Sequence, residues 1–212
     1  MYVPEHFQES RVEVMHELIR DHPLGVLVTP GAGGLNANHI PLEIDAEPPP
    51  FGTLRGHVAR ANPVWRDYAA DVEALVVFQG PAGYVTPSWY PTKRETGKVV
   101  PTYNYVAVHA YGPLRIVEDG AWLRELVERL TRRFEATRRD PWQVSDAPAS
   151  YIDAQLRAIV GIEIPISRLL GKWKLSQNKS AADRAGVAQG LRASEESGAE
   201  PLAGLVERSL EA

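Results

Sequence analysis

The sequence predicts a mainly β protein with flanking helices, organised as a small antiparallel barrel. Three observations carry that expectation. From Leu24 to Val117 the chain shows about six apolar or alternating runs of strand length. Their connections are short and give no β-α-β rhythm of the kind a doubly wound parallel sheet requires. The clearest helical pattern, opening at Asp119, follows these strands.

Taken in order, Ser10 to Glu13 reads S-R-V-E, a capping-box pattern, and Val14, Met15, Leu18 and Ile19 then share one helical face until His22 and Pro23 end the run. Leu24–Thr29 has the composition of a buried strand, Pro30–Gly34 of a tight turn and Leu35–Ile44 of a second strand, so the three form a hairpin. Alternation puts Asn36 and Asn38 on one face of the second strand. Two amides there either meet a ligand's carbonyl and imide edge or simply stay wet. Asp45–Phe51 is a proline-stiffened loop and Gly52–Val58 another strand. Within Ala59–Ala70, Asn62 followed by Pro63 pairs an N-capping side chain with a residue suited to the first helical position. Arg55, His57 and Arg60 run into that helix start. Cations and unpaired N–H groups would converge there as a phosphate site, or the strand end is merely solvated.

Glu73–Gly80 is a continuous apolar strand that feeds into Tyr84–Tyr105, YVTPSWYPTKRETGKVVPTYNY. Prolines at 87, 91 and 101 exclude a long helix, because each lacks an N–H and obstructs the preceding turn. A fixed backbone carrying Tyr84, Trp89, Tyr90, Tyr103 and Tyr105 beside Ser88 and other small polar tips suits a pocket for a flat ligand, or a tyrosine-rich hairpin packed on a sheet. Val106–Val117 extends as one strand, broken or bulged at Gly112-Pro113. The helix capped by Asp119 sets Trp122, Leu123, Leu126, Val127, Leu130 and Phe134 on one side. Its arginines are mixed with Glu125, Glu128 and Glu135, which favours a solvated face over a DNA-binding one. Ala149–Ala158 is a second helix and Ile159–Leu170 an alternating strand. Lys172, Trp173, Lys174, Gln177 and Lys179 follow in a turn that would serve as a lid for an anionic, aromatic ligand. Ser180–Arg192 is a short helix. Residues 1–192 are expected to form one domain with helical additions at about 119–158 and 180–192, and residues 193–212 a flexible acidic tail.

Composition narrows the function classes. The 212 residues are 44% hydrophobic and 24% charged, with a net charge of −4. No apolar run approaches a membrane span, and the amino terminus has no signal-peptide pattern, so a cytoplasmic protein is expected. Zero cysteines exclude disulfides, thiolate zinc sites and thiol nucleophiles, and no metal site is expected. The net charge gives no global attraction to nucleic acid.

Several long motifs, in order, resemble one family. They are Met1–Pro4 with His6-Phe7, Asn36–Pro41, Gly56–Pro63, Tyr84–Tyr105 and Lys172–Asn178. Together they look like the PaiB-type FMN-binding negative transcriptional regulators from Met1 to about Leu191. Tyr103 departs from the pattern, standing where a tryptophan is expected. The resemblance implies a split β-barrel of the flavin-reductase and pyridoxamine-phosphate-oxidase kind, a homodimer, and FMN in grooves shared by both subunits. It carries flavin contacts onto Asn36, Asn38, His39, Ile40, Arg55, Gly56, His57, Val58, Arg60, Asn62, Ser88, Trp89, Tyr90, Lys174 and Gln177. Arg55, His57, Arg60 and Asn62 would meet the phosphate, Asn36 and Asn38 the ring edge, and Trp89, Tyr90 and Trp173 the ring face.

Three functions remain open on the sequence. One is a flavin-binding repressor that touches DNA directly or through another protein. The second is a flavin-dependent oxidoreductase of the split-barrel class, although no residue stands out as its acid or base. The third is a flavin or haem-type ligand carrier without catalysis.

Overall fold

A computed structural model describes residues 1–196 and 198–211. In chain order the elements are β1 (Gln8–Glu9), α1 (Val12–Asp21), β2 (Leu24–Gly31), β3 (Gly34–Asp45), β4 (Thr53–Ala59), β5 (Ala74–Val85), α2 (Thr92–Thr96), β6 (Thr102–Gly112), β7 (Arg115–Val117), α3 (Gly120–Glu135), α4 (Ala149–Arg157), β8 (Ile159–Pro165), β9 (Arg168–Lys174), α5 (Ala181–Arg192) and α6 (Ala199–Glu211). Short 3-10 turns stand at Pro63–Trp65 and Pro87–Trp89, among others. The chain divides into two compact units. One comprises Met1–Asp21, Phe78–His109 and Leu170–Ala212, the other His22–Val77 and Ala110–Leu169.

The second of these carries the hairpin. β2 and β3 pair without interruption from Leu24↔Pro41 to Gly31↔Gly34, leaving only Ala32 and Gly33 in the turn. Gly34 follows at φ +103°, a conformation that a side chain would strain. β3 then pairs with β4 (Leu42↔Gly56), β4 with β8 (Gly56↔Ile162), and β8 with β7 (Ile116↔Ile162). On the other side β2 meets the start of β5 (Val26↔Val77). All these pairs are antiparallel. Along β4, Leu54, Gly56 and Val58 are buried on one face, while Arg55 and His57 point to the opposite face. The latter face lies under α3. A Cβ at Gly161 would fall 2.4 Å from the Trp122 ring, so glycine lets the indole sit directly on β8. Leu123, Val144, Ile152 and Leu156 close a small apolar cluster between α3 and α4.

In the first unit the strand order is β1-β9-β6-β5. β1 spans two residues, pairing Gln8 with Lys172 and Glu9 with Gly171. A strand that short leaves little edge on which another chain could pair. α5 packs against the 3-10 turn that carries Trp89. Gly186 and Gly190 face it one helical turn apart, and a Cβ at Gly190 would lie 2.2 Å from the indole. No helix among the described residues is long and apolar enough to cross a membrane.

Three expectations need correction here. The helix expected within Ala59–Ala70 is one 3-10 turn, although Asn62 does cap it, accepting from Val64 N–H at 3.0 Å. The strand expected over Ile159–Leu170 is two strands, and Lys172–Lys174 lie in the second of them, not in a turn. Finally, much of the supposed tail is α6. Ala199, Leu202, Ala203 and Val206 recur at helical spacing and are buried. Its acidic residues include Glu200 and Glu207, which pair with Arg192. Ser197 and Ala212 lie outside the described residues.

Because Leu202 is fully buried, Leu202→Ala is expected to lower unfolding free energy by about 2–5 kcal/mol. Chemical denaturation followed by circular dichroism measures this, and a flexible tail would show no change.

Candidate functional site

The period of two along β3 and β4, combined with their register, decides which predicted residues can meet. Leu42 stands opposite Gly56, so Asn36, Asn38, Ile40 and Leu42 share a sheet face with Leu54, Gly56 and Val58. His39 and Glu43 share the other face with Arg55 and His57. The residues expected at the ring edge and two of those expected at the phosphate therefore lie on opposite faces of one sheet.

On the first face, Ile40, Gly56 and Val58 are buried, Asn38 is half-buried and Asn36 is exposed, so the apolar face ends in a polar rim. Three amides are joined there. Asn62 Nδ2 donates to Asn38 Oδ1 at 2.8 Å, and Asn38 Nδ2 donates to Asn36 Oδ1 at 3.1 Å. The direction of this relay is fixed at one end, because a backbone N–H can only donate. Val64 N–H requires Asn62 Oδ1 as acceptor, which turns the Asn62 amide nitrogen towards Asn38 and so orders the next amide in turn. The Asn36 amide nitrogen ends the relay. Sequence reasoning placed Asn62 with the phosphate; the structure joins it to the amides instead.

On the opposite face the expected phosphate cations are engaged. Arg55 donates from Nη1 to Asp45 at 2.6 Å and from Nε to Glu163 at 3.0 Å. The Asp45 carboxyl is held below its ordinary range by the Glu47 N–H and then by Arg55. Arg129 of α3 closes the face, pairing with Glu43 at 2.7 Å. Burial holds the His57 imidazole below the usual histidine range, so it is neutral at pH 7 and supplies no charge. Arg60 binds Glu118 at 2.6 Å and the carbonyls of Arg157 and Ile159 at 2.9 and 3.2 Å. The expected convergence of three cations is not formed.

Beside the relay stands a pair of residues that the sequence reading passed over. The Trp65 indole has the Arg66 guanidinium 4.0 Å from its centroid and that of Arg60 at 5.5 Å. The available signal was the dipeptide Trp65-Arg66 directly after Asn62-Pro63.

The remaining predicted residues belong to the first unit. Ser88 accepts from Lys93 Nζ at 3.1 Å. Trp89 is half-buried on α5, and Tyr90 is 2% exposed, so its ring is core and not an open stacking surface. Lys174 Nζ is held by Thr102 Oγ1 and the Tyr103 carbonyl, at 2.5 and 2.6 Å. Gln177 folds back on its own turn, donating to the Trp173 carbonyl and accepting from Leu175 N–H. These contacts fix the segment from Lys174 to Gln177 locally. A separate groove of about 510 Å³ lies along α3 beside Arg132 and Trp142, and none of the predicted site residues lines it.

A mostly antiparallel sheet with flanking helices places the protein in the split-barrel class of flavin-binding folds. Two solved structures share that fold. The FAD and haem binding protein of Mycobacterium smegmatis has a TM-score of 0.59 at 17% identity, covering 84% of this chain and 78% of that one. The flavocytochrome Anf3 of Azotobacter vinelandii has the same TM-score at 11% identity, covering 81% and 72%. Residues 1–168 match the family described as "Putative FMN-binding domain". Protease synthase and sporulation protein PAI 2 of Bacillus subtilis is 33% identical, over 99% of this chain and 98% of its own length. An uncharacterised protein of Emericella nidulans is 38% identical, over 90% of each. The chain belongs to this PaiB-type FMN-binding family, and its cofactor is FMN.

Two consequences can be measured. Arg55→Ala is expected to lower stability by about 1–3 kcal/mol, since half-buried Asp45 loses its ion pair and half-buried Glu163 keeps only the longer one to Arg115. Acid should also destabilise the protein through His57 and His109, both held below the ordinary range by burial. An unfolded histidine titrates near pH 6.5, so below about that pH the unfolded chain binds more protons and stability falls. Urea midpoints measured from pH 7.5 to 5 should slope less in His57→Leu than in the wild type.

Proposed function

We propose that this protein is an FMN-binding negative regulator of transcription, acting as a homodimer. The observation that carries the reading is the polarised amide relay Asn62–Asn38–Asn36. Amides bind and orient a ligand without exchanging protons near neutral pH, which suits recognition better than acid-base catalysis. FMN bound here would supply a redox-active ring. The ring edge carries carbonyl oxygens and an imide N–H. It fits a rim of amides whose terminal nitrogen, on Asn36, is directed outward by the relay. Buried Ile40, Gly56 and Val58 on the same face would keep water from one side of that edge. The proposed dimer contact is the exposed tyrosine pair of the first unit. Tyr84 and Tyr103 are 43% and 55% exposed and meet edge to face at 6.4 Å.

Flavin fluorescence titration tests the site. Asn38→Ala, which cuts the relay at its centre, should weaken FMN binding by about tenfold while leaving the melting temperature nearly unchanged. A folded variant with wild-type affinity would remove the relay from flavin binding. A promoter-fragment binding assay, run with and without FMN, separates regulation from carriage. Bleaching of the bound flavin by NAD(P)H in air-free buffer would favour the oxidoreductase. Light scattering at micromolar concentration checks the dimer, and a monomer would remove it.

A further inference from the structure

The reading above leaves the FMN phosphate without a cation, since Arg55 and Arg60 are held by carboxylates and His57 is neutral. We infer that Arg66, stacked on Trp65 beside the amide relay, binds the phosphate monoester of FMN. This rests on the proposal that the relay meets the flavin. Three anchors fix where Arg66 lies. Asn62 is tied to Asn38 of β3 at 2.8 Å, Asp67 Oδ1 accepts Ala32 N–H at 2.8 Å, and Ala69 N–H donates to the Pro30 carbonyl at 2.8 Å. The segment 62–69 therefore runs along the turn end of the β2–β3 hairpin, from Asn38 to the turn itself. Arg66 stands between the first two anchors, as Asn36 does on β3.

The guanidinium of Arg66 is available where the others are not. Among the described residues it forms no ion pair, and it is exposed. The neighbouring carboxylate, Asp67, is turned to the hairpin backbone. Stacking at 4.0 Å on the indole holds the planar group without using its N–H donors, so the donors remain for a phosphate that takes them in pairs. Trp65 is itself fixed, since its Nε1 donates to the Arg60 carbonyl at 3.0 Å. The arrangement is a rigid ring carrying a cation on a segment pinned at both ends, which reduces the ordering entropy lost when an anion binds.

The test compares FMN with riboflavin, which lacks only the phosphate, on the full chain. The wild type, Arg66→Gln and Arg66→Lys are titrated by flavin fluorescence, with thermal melts as the control for folding. Arg66→Gln should raise the Kd for FMN by about tenfold or more and leave that for riboflavin within about twofold. Arg66→Lys, a charge without the planar fork, should fall between. Rising salt should weaken FMN binding to the wild type more steeply than to Arg66→Gln. An unchanged FMN affinity in Arg66→Gln, or an equal loss for both flavins, overturns the assignment while the flavin site itself stands. A wild type that binds neither flavin overturns both.

Discussion

Strand alternation, locked by the β3–β4 register, is the constraint on which the reading of this protein depends. Successive side chains leave a strand on opposite faces, and a shift of one residue would exchange every one of them. Here Leu42 opposite Gly56 puts the asparagines of β3 with the barrel-facing side of β4, and sends Arg55 and His57 to the side that α3 covers. Glycine helps hold that register. A Cβ at Gly56 would meet Leu42 Cδ2 at 2.7 Å and the Pro41 carbonyl at 2.9 Å. With the register set, the Arg55 face becomes an ion-pair layer beneath a helix, and the Asn36 face ends in a rim of joined amides.

The contrast between these faces is electrostatic as well as geometric. Arg55 sits between Asp45 and Glu163, with Arg115 reaching Glu163 from β7 and Arg129 reaching Glu43 from α3. Such alternation neutralises charge within the layer and leaves no net field to hold an anion. The asparagine rim is neutral too, but its dipoles are aligned in one sense, and aligned donors in a partly dry site hold acceptors better than solvated ones do.

Local patterns in the sequence were sufficient for β2 to β5, the hairpin, α1, α3 and α5, because each depends on residues a few positions apart. The pairing of Asn36 with Asn38 was legible for the same reason. The relay through Asn62 was not, since it joins residues 24 positions apart across a turn. Arg55 and His57 were easy to see as candidate cations. Their partners Asp45, Glu163 and the covering Trp122 are fixed by register and packing, which no local pattern reveals. The helix α6 was readable in principle from Ala199, Leu202, Ala203 and Val206. Acidic composition obscured it, because what orders this segment is burial of that apolar face together with Arg192, which gathers Glu200 and Glu207.

The family model ends at residue 168, while the elements that fix Trp89 and Lys174 lie partly beyond it. Trp89 owes its seat to Gly186 and Gly190, where larger residues would push α5 off the indole. Asp183 of α5 accepts both the Thr92 N–H and its hydroxyl, at 3.1 and 2.9 Å, and so caps α2. Asn104 and Ser176, both buried, bond to each other across the same unit, tying β6 to the turn after β9. The aromatic stretch from Tyr84 to Tyr105 is thus held by α5 and the turn after β9. Its exposed tyrosines, Tyr84 and Tyr103, project from a fixed frame, whereas Trp89 and Tyr90 help to build that frame. The same chemistry that suggested a stacking pocket along the whole stretch divides, once packing is known, into rings that form the core and rings that stay exposed.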